Sequence, residues 1–179
     1  MSALLPVALD LTRLAVAVVG DGPRARRRLG LLRDAGAGDL TAFAAAPDDA
    51  QLARIDVLFV ADLPERAARI LAGRARAHGA LVNIEDVPAA CDFQSAAVVR
   101  RGDLAVGVWS GGRCPMLARV LKEWLDRWLP RDFGRVLDRL ADERVRLRAQ
   151  GAGTGALEAS ANVALHRLRP PPMDVTLNA

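Results

Sequence analysis

Short, continuous apolar runs that alternate with helix-like segments constrain the fold of this chain more than any other feature. The run at residues 14–19, LAVAVV, ends abruptly at a glycine turn, and similar runs recur further along the chain. Runs this short are typical of strands that are buried on both faces. Strands that alternate with helices of this length predict an α/β fold with a parallel, doubly wound sheet. The predicted strands are residues 14–19, 39–44, 56–61 and 80–84, and the predicted helices are residues 25–35 and 64–78.

The pattern changes after residue 95. Two alternating segments flank Arg101, Gly102 and Asp103, which predicts a β-hairpin at the edge of the sheet. Helices are predicted from Pro115 onward, over residues 133–148 and 157–169 as well, and residues 170–179 are predicted to be a tail. The first of these helices carries one broad apolar stripe, and in the helix over residues 64–78 a second set is predicted to face inward. The stripe is Leu117, Val120, Leu121, Trp124, Leu125 and Trp128, and the inward set is Ala67, Ile70, Leu71 and Ala75.

Composition excludes several classes of protein. The 179 residues carry a net charge of +4, but the arginines are dispersed among acids and are not interleaved with aromatic side chains, so no nucleic-acid partner is expected. Two distant cysteines, Cys91 and Cys114, and two distant histidines predict neither a disulfide scaffold nor a metal site. Without a signal-peptide pattern or an apolar run of transmembrane length, no membrane partner and a cytoplasmic location are expected.

The glycine turn has the spacing of a dinucleotide-binding motif. Gly20, Gly22 and Ala25 fit G-x-G-x-x-A between a predicted strand and a predicted helix. In that motif the first glycine allows the tight turn, the second lets the backbone approach a pyrophosphate, and the third small residue keeps helix and strand close. The pattern favours dinucleotide binding, and its alternative is a purely structural turn.

Two features of the sequence oppose this cofactor site. Asp21 places a negative charge close to the expected phosphates. No acid directly follows the second strand to bind a ribose hydroxyl, which leaves Asp48, or the backbone of Ala45 and Ala46, for that contact.

Residues 82–119 carry three motifs in a fixed order: N-x-x-D-x-P from Asn83, C-D-F from Cys91, and S-G-G-x-x-P-x-L-A-R from Ser110. This arrangement resembles the precorrin-2 dehydrogenase and sirohydrochlorin ferrochelatase family, the N-terminal domain of siroheme synthases. The resemblance implies a Rossmann-like NAD-binding domain over residues 1–113 and a helical dimerisation and substrate region over residues 114–169. It also implies a homodimer.

The resemblance implies an activity as well: oxidation of precorrin-2 to sirohydrochlorin with NAD as hydride acceptor, the choice between NAD and NADP being open. Asp86 matches the active-site aspartate of the family, where a base is needed near the leaving proton, and Asn83 is its polar neighbour. Pro23 and Arg24 match positions beside the pyrophosphate. Without the flanking motifs, the preferred interpretation of Asp86 would be a turn acid or a helix cap.

The Ser-Gly-Gly turn is the candidate substrate contact. Ser110, Gly111 and Gly112 open a helix, where backbone N–H groups can bind a carboxylate of the acidic tetrapyrrole. Arg113, with Arg100 and Arg101, can pair with its acetate and propionate arms. A plain turn and solvated arginines are the alternatives. Ser110 also matches a serine that is phosphorylated in some relatives.

One interval departs from the family. Relatives carry a further helix and strand after the second strand, whereas only residues 47–55 fill that interval here, so we expect the sheet to lack one strand. Two alternative functions stay open. One is a bifunctional enzyme that also inserts ferrous iron, for which Asp86 serves too; the other is a non-catalytic nucleotide- or tetrapyrrole-binding protein, which Asp21 and the short interval favour.

Overall fold

A computed structural model describes residues 4–166 and residue 168 of the chain. The chain divides into two compact units, Met1–Gln94 and Ser95–Ala179. The residues predicted to form the hairpin therefore belong to the second unit. The functional domain boundary that the sequence predicts after residue 113 stays a prediction. The predicted tail, residues 170–179, lies outside the described residues.

The first unit is built on a four-stranded parallel sheet with the strand order β2-β1-β3-β4. The predicted α/β, Rossmann-like fold is confirmed. Short 3₁₀ turns at Leu11–Arg13 and Pro88–Ala90 flank the sheet segments. The strands are β1 (Ala15–Val19), β2 (Asp39–Phe43), β3 (Val57–Val60) and β4 (Leu81–Ile84), and the helices are α1 (Pro23–Asp34), α2 (Asp49–Leu52) and α3 (Glu65–Ala77).

The central strands are buried on both faces, as their continuous apolar sequences predict. One face of β1 packs Val16 and Val18 in a cluster with Leu32 of α1, and the other packs Val19 in a cluster with Leu71 of α3. Burying an aliphatic side chain of this size is worth about 1.5–3 kcal/mol. Helices on both faces of the sheet are therefore required to exclude water from β1 and β3.

The strand order fixes where a ligand can bind in this unit. The chain runs from β1 to β2 on one side and then returns to β3 on the other side of β1. In open parallel sheets, ligands bind outside the carboxyl ends of the strands at such a reversal. The glycine turn leaves the carboxyl end of β1, so it lies at this crevice.

The short interval after β2 holds one helical turn. Asp48 caps α2 in a capping box, with its carboxylate accepting from the Gln51 N–H at 2.8 Å and the Gln51 side chain accepting from the Asp48 N–H. Leu52 anchors this turn in the core, where it is fully buried. No strand forms between β2 and β3, and the sheet has four strands among the described residues.

The second unit begins with an antiparallel hairpin of β5 (Ala97–Arg101) and β6 (Leu104–Val108). The hairpin is confirmed, but the structure gives it a sheet of its own rather than a place at the edge of the parallel sheet. The two strands pair with each other, and helix α4 (Pro115–Trp128) packs against both of them. The helices of this unit are α4 (Pro115–Trp128), α5 (Gly134–Ala149) and α6 (Thr154–Leu165). No helix in the described ranges is long and apolar enough to span a bilayer.

Arg101 joins the hairpin to the end of α4. Its buried guanidinium donates to the backbone carbonyls of Asp126, Leu129 and Pro130 at 2.7–3.0 Å, and to the Asp126 carboxylate at 3.0 Å. The last carbonyls of a helix have no partners within the helix, so this side chain satisfies them. Arg101 was a candidate for the substrate's acidic arms; the structure instead commits it to the end of α4.

Candidate functional site

The glycine turn adopts the geometry that its motif predicts. Gly20 has a φ of +139°, and a Cβ there would overlap the Ala61 carbonyl oxygen. Gly22 is the N-cap of α1 and, having no side chain, offers no capping group of its own, while Pro23 takes the first helical position. Ala25 is buried against the sheet. The turn therefore brings the start of α1 close to the carboxyl end of β1.

A carboxylate outside the sequence motifs, that of Asp62, lies at the start of α1. Asp62 follows β3 in a left-handed conformation, with φ of +57°, and its Oδ2 accepts from the Ala25 N–H at 2.8 Å. A Cβ at Gly22 would overlap this carboxylate. The available signal was its position, directly after a strand at the ligand-binding end of the sheet.

The structure places Asp86, the predicted catalytic base, beside Arg24, a predicted cofactor-binding residue. Asp86 follows β4 with φ of +62°, and its Oδ2 lies 2.6 Å from Nη1 of Arg24, one residue after Pro23. The Asp86 side chain is 69% exposed and that of Arg24 53% exposed. Exposed pairs of this kind contribute about 0–1 kcal/mol, so the pair can open when either partner meets a ligand.

Glu85, which the sequence analysis also missed, fixes α1 against the end of β4. Its carboxylate accepts from Arg27 and Arg28 at 3.0 Å each, and its side chain is only 13% exposed. The Arg28 guanidinium also stacks over the Phe59 ring, 4.9 Å from its centroid. These contacts hold the residue next to Asp86 and thereby position Asp86 at the crevice.

Asn83 lies in the buried part of β4. Its Nδ2 donates to the Phe93 carbonyl at 2.9 Å and ties the C-D-F segment to the sheet. Asp92 contributes to the same attachment by accepting from the Val82 N–H at 2.8 Å. This gives Asn83 a structural partner, and its contact with substrate stays a prediction.

Cys91 is part of the same attachment. Its Sγ lies within hydrogen-bond distance of the Ile84 backbone N–H and of the carbonyls of Ile84 and Val87. Burial raises the pKa of the Cys91 thiol above its ordinary value. The cysteine therefore closes the loop that carries Asp86.

The segment after β2 offers backbone rather than side chains to a ligand. Ala45 and Ala46 are exposed beyond the carboxyl end of β2. Asp48 is engaged in the capping box, and Asp49 pairs with Arg74 at 2.7 Å. The hydrogen bond from Arg74 lowers the pKa of Asp49 below its ordinary value. The roles of Ala45 and Ala46 toward a cofactor stay predictions.

The Ser-Gly-Gly turn belongs to the second unit. Gly111 and Gly112 both have positive φ, +61° and +75°, which L-residues with side chains rarely adopt. Ser110 Oγ accepts from the Cys114 N–H at 3.3 Å, immediately before α4, and Arg113 is exposed. The turn therefore leads into a helix start, as the sequence predicts, and its contact with substrate stays a prediction.

These residues fit a dinucleotide at the crevice. The absent side chain at Gly22 leaves backbone open at the start of α1, and Arg24 supplies a cation there. The Asp62 carboxylate occupies this opening, and its side chain can rotate away because the residue is exposed. Among the described residues, no cluster of His, Cys, Asp and Glu is arranged to hold a metal ion.

Comparison with known proteins assigns the class. A family model described as "Putative NAD(P)-binding" matches residues 7–97, a range that contains the glycine turn, Asp62 and Asp86. The chain belongs to this family of nicotinamide-dinucleotide-binding domains.

More specific similarity is to siroheme synthases, which confirms the family resemblance seen in the sequence. The chain is 36% identical over 164 residues to the siroheme synthase of Methylococcus capsulatus, covering 80% of this chain and 34% of that protein. It is 33% identical over 163 residues to that of Thiobacillus denitrificans, with the same coverage. The chain thus spans about a third of the length of these relatives.

A solved structure described as SirC, precorrin-2 dehydrogenase, shares the fold. Its TM-score is 0.65 at 21% sequence identity, and the match covers 87% of this chain and 86% of that one.

Proposed function

We propose that this chain oxidises precorrin-2 to sirohydrochlorin with NAD as the hydride acceptor, in the synthesis of siroheme. One observation carries the proposal: 36% identity to a siroheme synthase across 80% of the chain. The geometry supports it, since Asp86 lies beside Arg24 at the glycine turn. A redox cofactor and a proton acceptor would then meet at one crevice.

The oxidation removes a hydride and a proton from the reduced macrocycle. NAD, when bound, supplies the hydride acceptor. Asp86 accepts the proton, and its exposed carboxylate at the end of β4 is accessible to a large substrate. Arg24 binds the cofactor's pyrophosphate, so it leaves Asp86 and frees that carboxylate for the proton.

The preference for NAD over NADP is part of the proposal. The 2′-phosphate of NADP would lie beyond the carboxyl end of β2. Asp48 and Asp49 follow there, and their negative charges oppose a further phosphate. Backbone groups at Ala45 and Ala46 suit an uncharged ribose instead.

The second unit contributes substrate binding in this proposal. The backbone N–H groups of Ser110, Gly111 and Gly112 bind one carboxylate arm of precorrin-2 in this proposal, and Arg113 pairs with another. Because Arg113 is exposed, its side chain can change conformation to reach the substrate.

We also place α4 in a homodimer interface. Met116, Leu117 and Val120 are each about half exposed, and Trp124 stacks on Trp128 along the same helix. Sedimentation should show a dimer that Val120→Glu dissociates, because a charge cannot be buried unpaired in an apolar interface. We also propose a cytoplasmic location, which cell fractionation would check.

The decisive experiment follows absorption spectra during incubation of the protein with precorrin-2 and NAD. Asp86→Asn should lower the rate of sirohydrochlorin formation by about 10²-fold or more, since a positioned base contributes about 10²–10⁴. Asn also tolerates the left-handed backbone at this position. Asp103→Asn, in the hairpin turn, is the charge-matched control and should retain the wild-type rate. Full activity in Asp86→Asn would remove Asp86 from the mechanism.

A second candidate is a non-catalytic protein that binds a dinucleotide or a tetrapyrrole. The Asp62 carboxylate at the start of α1 opposes a bound pyrophosphate and so favours the tetrapyrrole-binding form of this candidate. In that case the wild type would bind precorrin-2 without producing sirohydrochlorin. A further incubation with sirohydrochlorin and ferrous iron tests the alternative of a bifunctional enzyme. That alternative predicts iron insertion above the uncatalysed rate.

A further inference from the structure

We propose that Asp62 is a built-in competitor of the cofactor: its carboxylate holds the anion position at the start of α1, and a dinucleotide binds only when that carboxylate swings out. This inference rests on the proposed binding of NAD at the glycine turn. It assigns a role to a residue outside the motifs of the sequence.

The contacts of Asp62 match those expected of a bound phosphate. A pyrophosphate at this kind of turn accepts from N–H groups in the first turn of the helix and lies against the second glycine. Asp62 Oδ2 accepts from the Ala25 N–H at 2.8 Å, and its carboxylate fills the space that a Cβ on Gly22 would enter. Because Pro23 has no N–H, the helix start has few donors, and Asp62 holds one of them.

Charge makes simultaneous occupancy unfavourable. The positive end of the α1 dipole and the Arg24 guanidinium both attract a pyrophosphate. A second anion at the same N–H groups opposes it, and Asp21 in the turn adds a further negative charge. The arrangement therefore lowers affinity for the dinucleotide unless Asp62 moves.

Asp62 is able to move. The residue is exposed, so its carboxylate regains water when it rotates away from Ala25. Its left-handed backbone, with φ of +57°, is one that Asp and Asn tolerate better than other residues with side chains. In the free protein Asp62 caps α1. The apparent affinity for a dinucleotide is then the intrinsic affinity multiplied by the fraction of molecules in which Asp62 has moved away.

The test compares Asp62→Asn with Asp56→Asn in the full chain. Asn at position 62 keeps an oxygen that can cap Ala25 and removes only the charge. Asp56 is a matched control, because its Oδ2 accepts from the Ala15 N–H at the same 2.8 Å, at the opposite end of β1. Calorimetric titration with NAD should show about tenfold tighter binding for Asp62→Asn and the wild-type affinity for Asp56→Asn.

A second variant and a second readout guard against a folding artefact. Asp62→Gly suits the left-handed backbone and removes the whole side chain, so its affinity for NAD should also rise, while its thermal midpoint without NAD should fall because the cap is lost. A merely structural role would lower affinity and midpoint together. In the ¹⁵N–¹H spectrum of the free protein, the Ala25 amide signal should shift in Asp62→Gly and stay in place in Asp56→Asn.

The outcomes separate this inference from the proposed function. Wild-type binding of NAD that is unchanged or weakened in both Asp62 variants overturns the inference and leaves cofactor binding intact. Binding by the Asp62 variants alone supports the inference and overturns NAD-dependent function for the natural chain. If neither wild type nor variants bind NAD or NADP, both ideas are overturned.

Discussion

Two aspartates in left-handed conformations, Asp62 and Asp86, lie at the crevice. Each lies two residues after a strand of the parallel sheet, and their φ values are +57° and +62°. Residues other than glycine rarely adopt left-handed backbone conformations, and such strained positions cluster at functional sites. The sequence predicted Asp86 through its motif. Asp62 could not be predicted in the same way, because its partner Ala25 lies 37 positions earlier and only the fold brings the two together.

The two cysteines should differ in reactivity. Cys91 is hydrogen-bonded within the loop after β4, and burial raises the pKa of its thiol, so less of the reactive thiolate exists at neutral pH. Cys114 is exposed. After brief treatment with iodoacetamide at about pH 7.5, peptide mapping should find Cys114 modified first. The rate at Cys91 should increase as pH rises toward its raised pKa, and equal modification of both cysteines at neutral pH would contradict this contact network.

At the scale of elements, strands were easier to predict than the faces of helices. Continuous apolar runs marked β1 and β3 because both faces of these strands are buried. For α3, the sequence correctly placed Leu71 and Ala75 inward, but Ile70 is 59% exposed. An alanine-rich helix presents nearly the same small side chain on several faces, so periodicity fixes its rotation poorly. The structure buries Ala68 and Ala72 where the sequence predicted Ala67 and Ile70.

The turn between β1 and α1 should tolerate no side chain at its first glycine. Gly20→Ala would place a Cβ against the Ala61 carbonyl at a φ of +139°, so we expect a loss of about 1–3 kcal/mol in unfolding free energy. NAD binding should weaken as the turn deforms. Gly30→Ala is the matched control, since nothing lies within 4 Å of its new Cβ in α1. It should stabilise the protein by about 0.5–1 kcal/mol in urea unfolding. A stable Gly20→Ala variant would contradict this account of the turn.

The joint between β5 and the end of α4 depends on Arg101. Its side chain is only 9% exposed and satisfies carbonyls of Leu129 and Pro130. Arg101→Gln should lower the unfolding free energy by about 2–4 kcal/mol, because buried acceptors lose their donors and Asp126 loses its partner. Arg100→Gln tests the neighbouring, exposed arginine and should change stability by less than about 0.5 kcal/mol. Urea unfolding of each variant measures the effect. Equal losses of unfolding free energy in the two variants would show that Arg101 does not hold β5 to the end of α4.

For the molecule as a whole, the sequence accounts for the class of fold and for the location of the crevice. Apolar runs and the glycine turn were sufficient for both, since they reflect local pattern and strand order. Contacts between distant positions were not predictable, and they set the charge balance at the crevice: Arg24 with Asp86, and Ala25 with Asp62. The sequence carried the groups, and the fold determined which of them compete.

Acid should destabilise both compact units through one carboxylate in each. Hydrogen bonding from Arg74 lowers the pKa of Asp49, and hydrogen bonding from Arg101, with the charge of Lys122, lowers that of Asp126, below the ordinary value of 3.8. A carboxyl whose pKa is lower in the folded state stabilises that state above its unfolded pKa, and this contribution is lost as pH falls through the folded pKa. Urea midpoints should therefore fall between about pH 4 and pH 2.

The double variant Asp49→Asn with Asp126→Asn isolates this effect. It should unfold at lower urea than the wild type at pH 6, because both ionic partners are gone, and the two midpoints should converge as pH falls below 3.8, where the wild type loses the same contributions. Single variants should each account for part of the change, with additive effects, because Asp49 and Asp126 belong to separate compact units. Midpoints that stay equally far apart from pH 6 to pH 2 would mean that these arginines stabilise the units through packing alone, without any contribution from the ionised carboxylates.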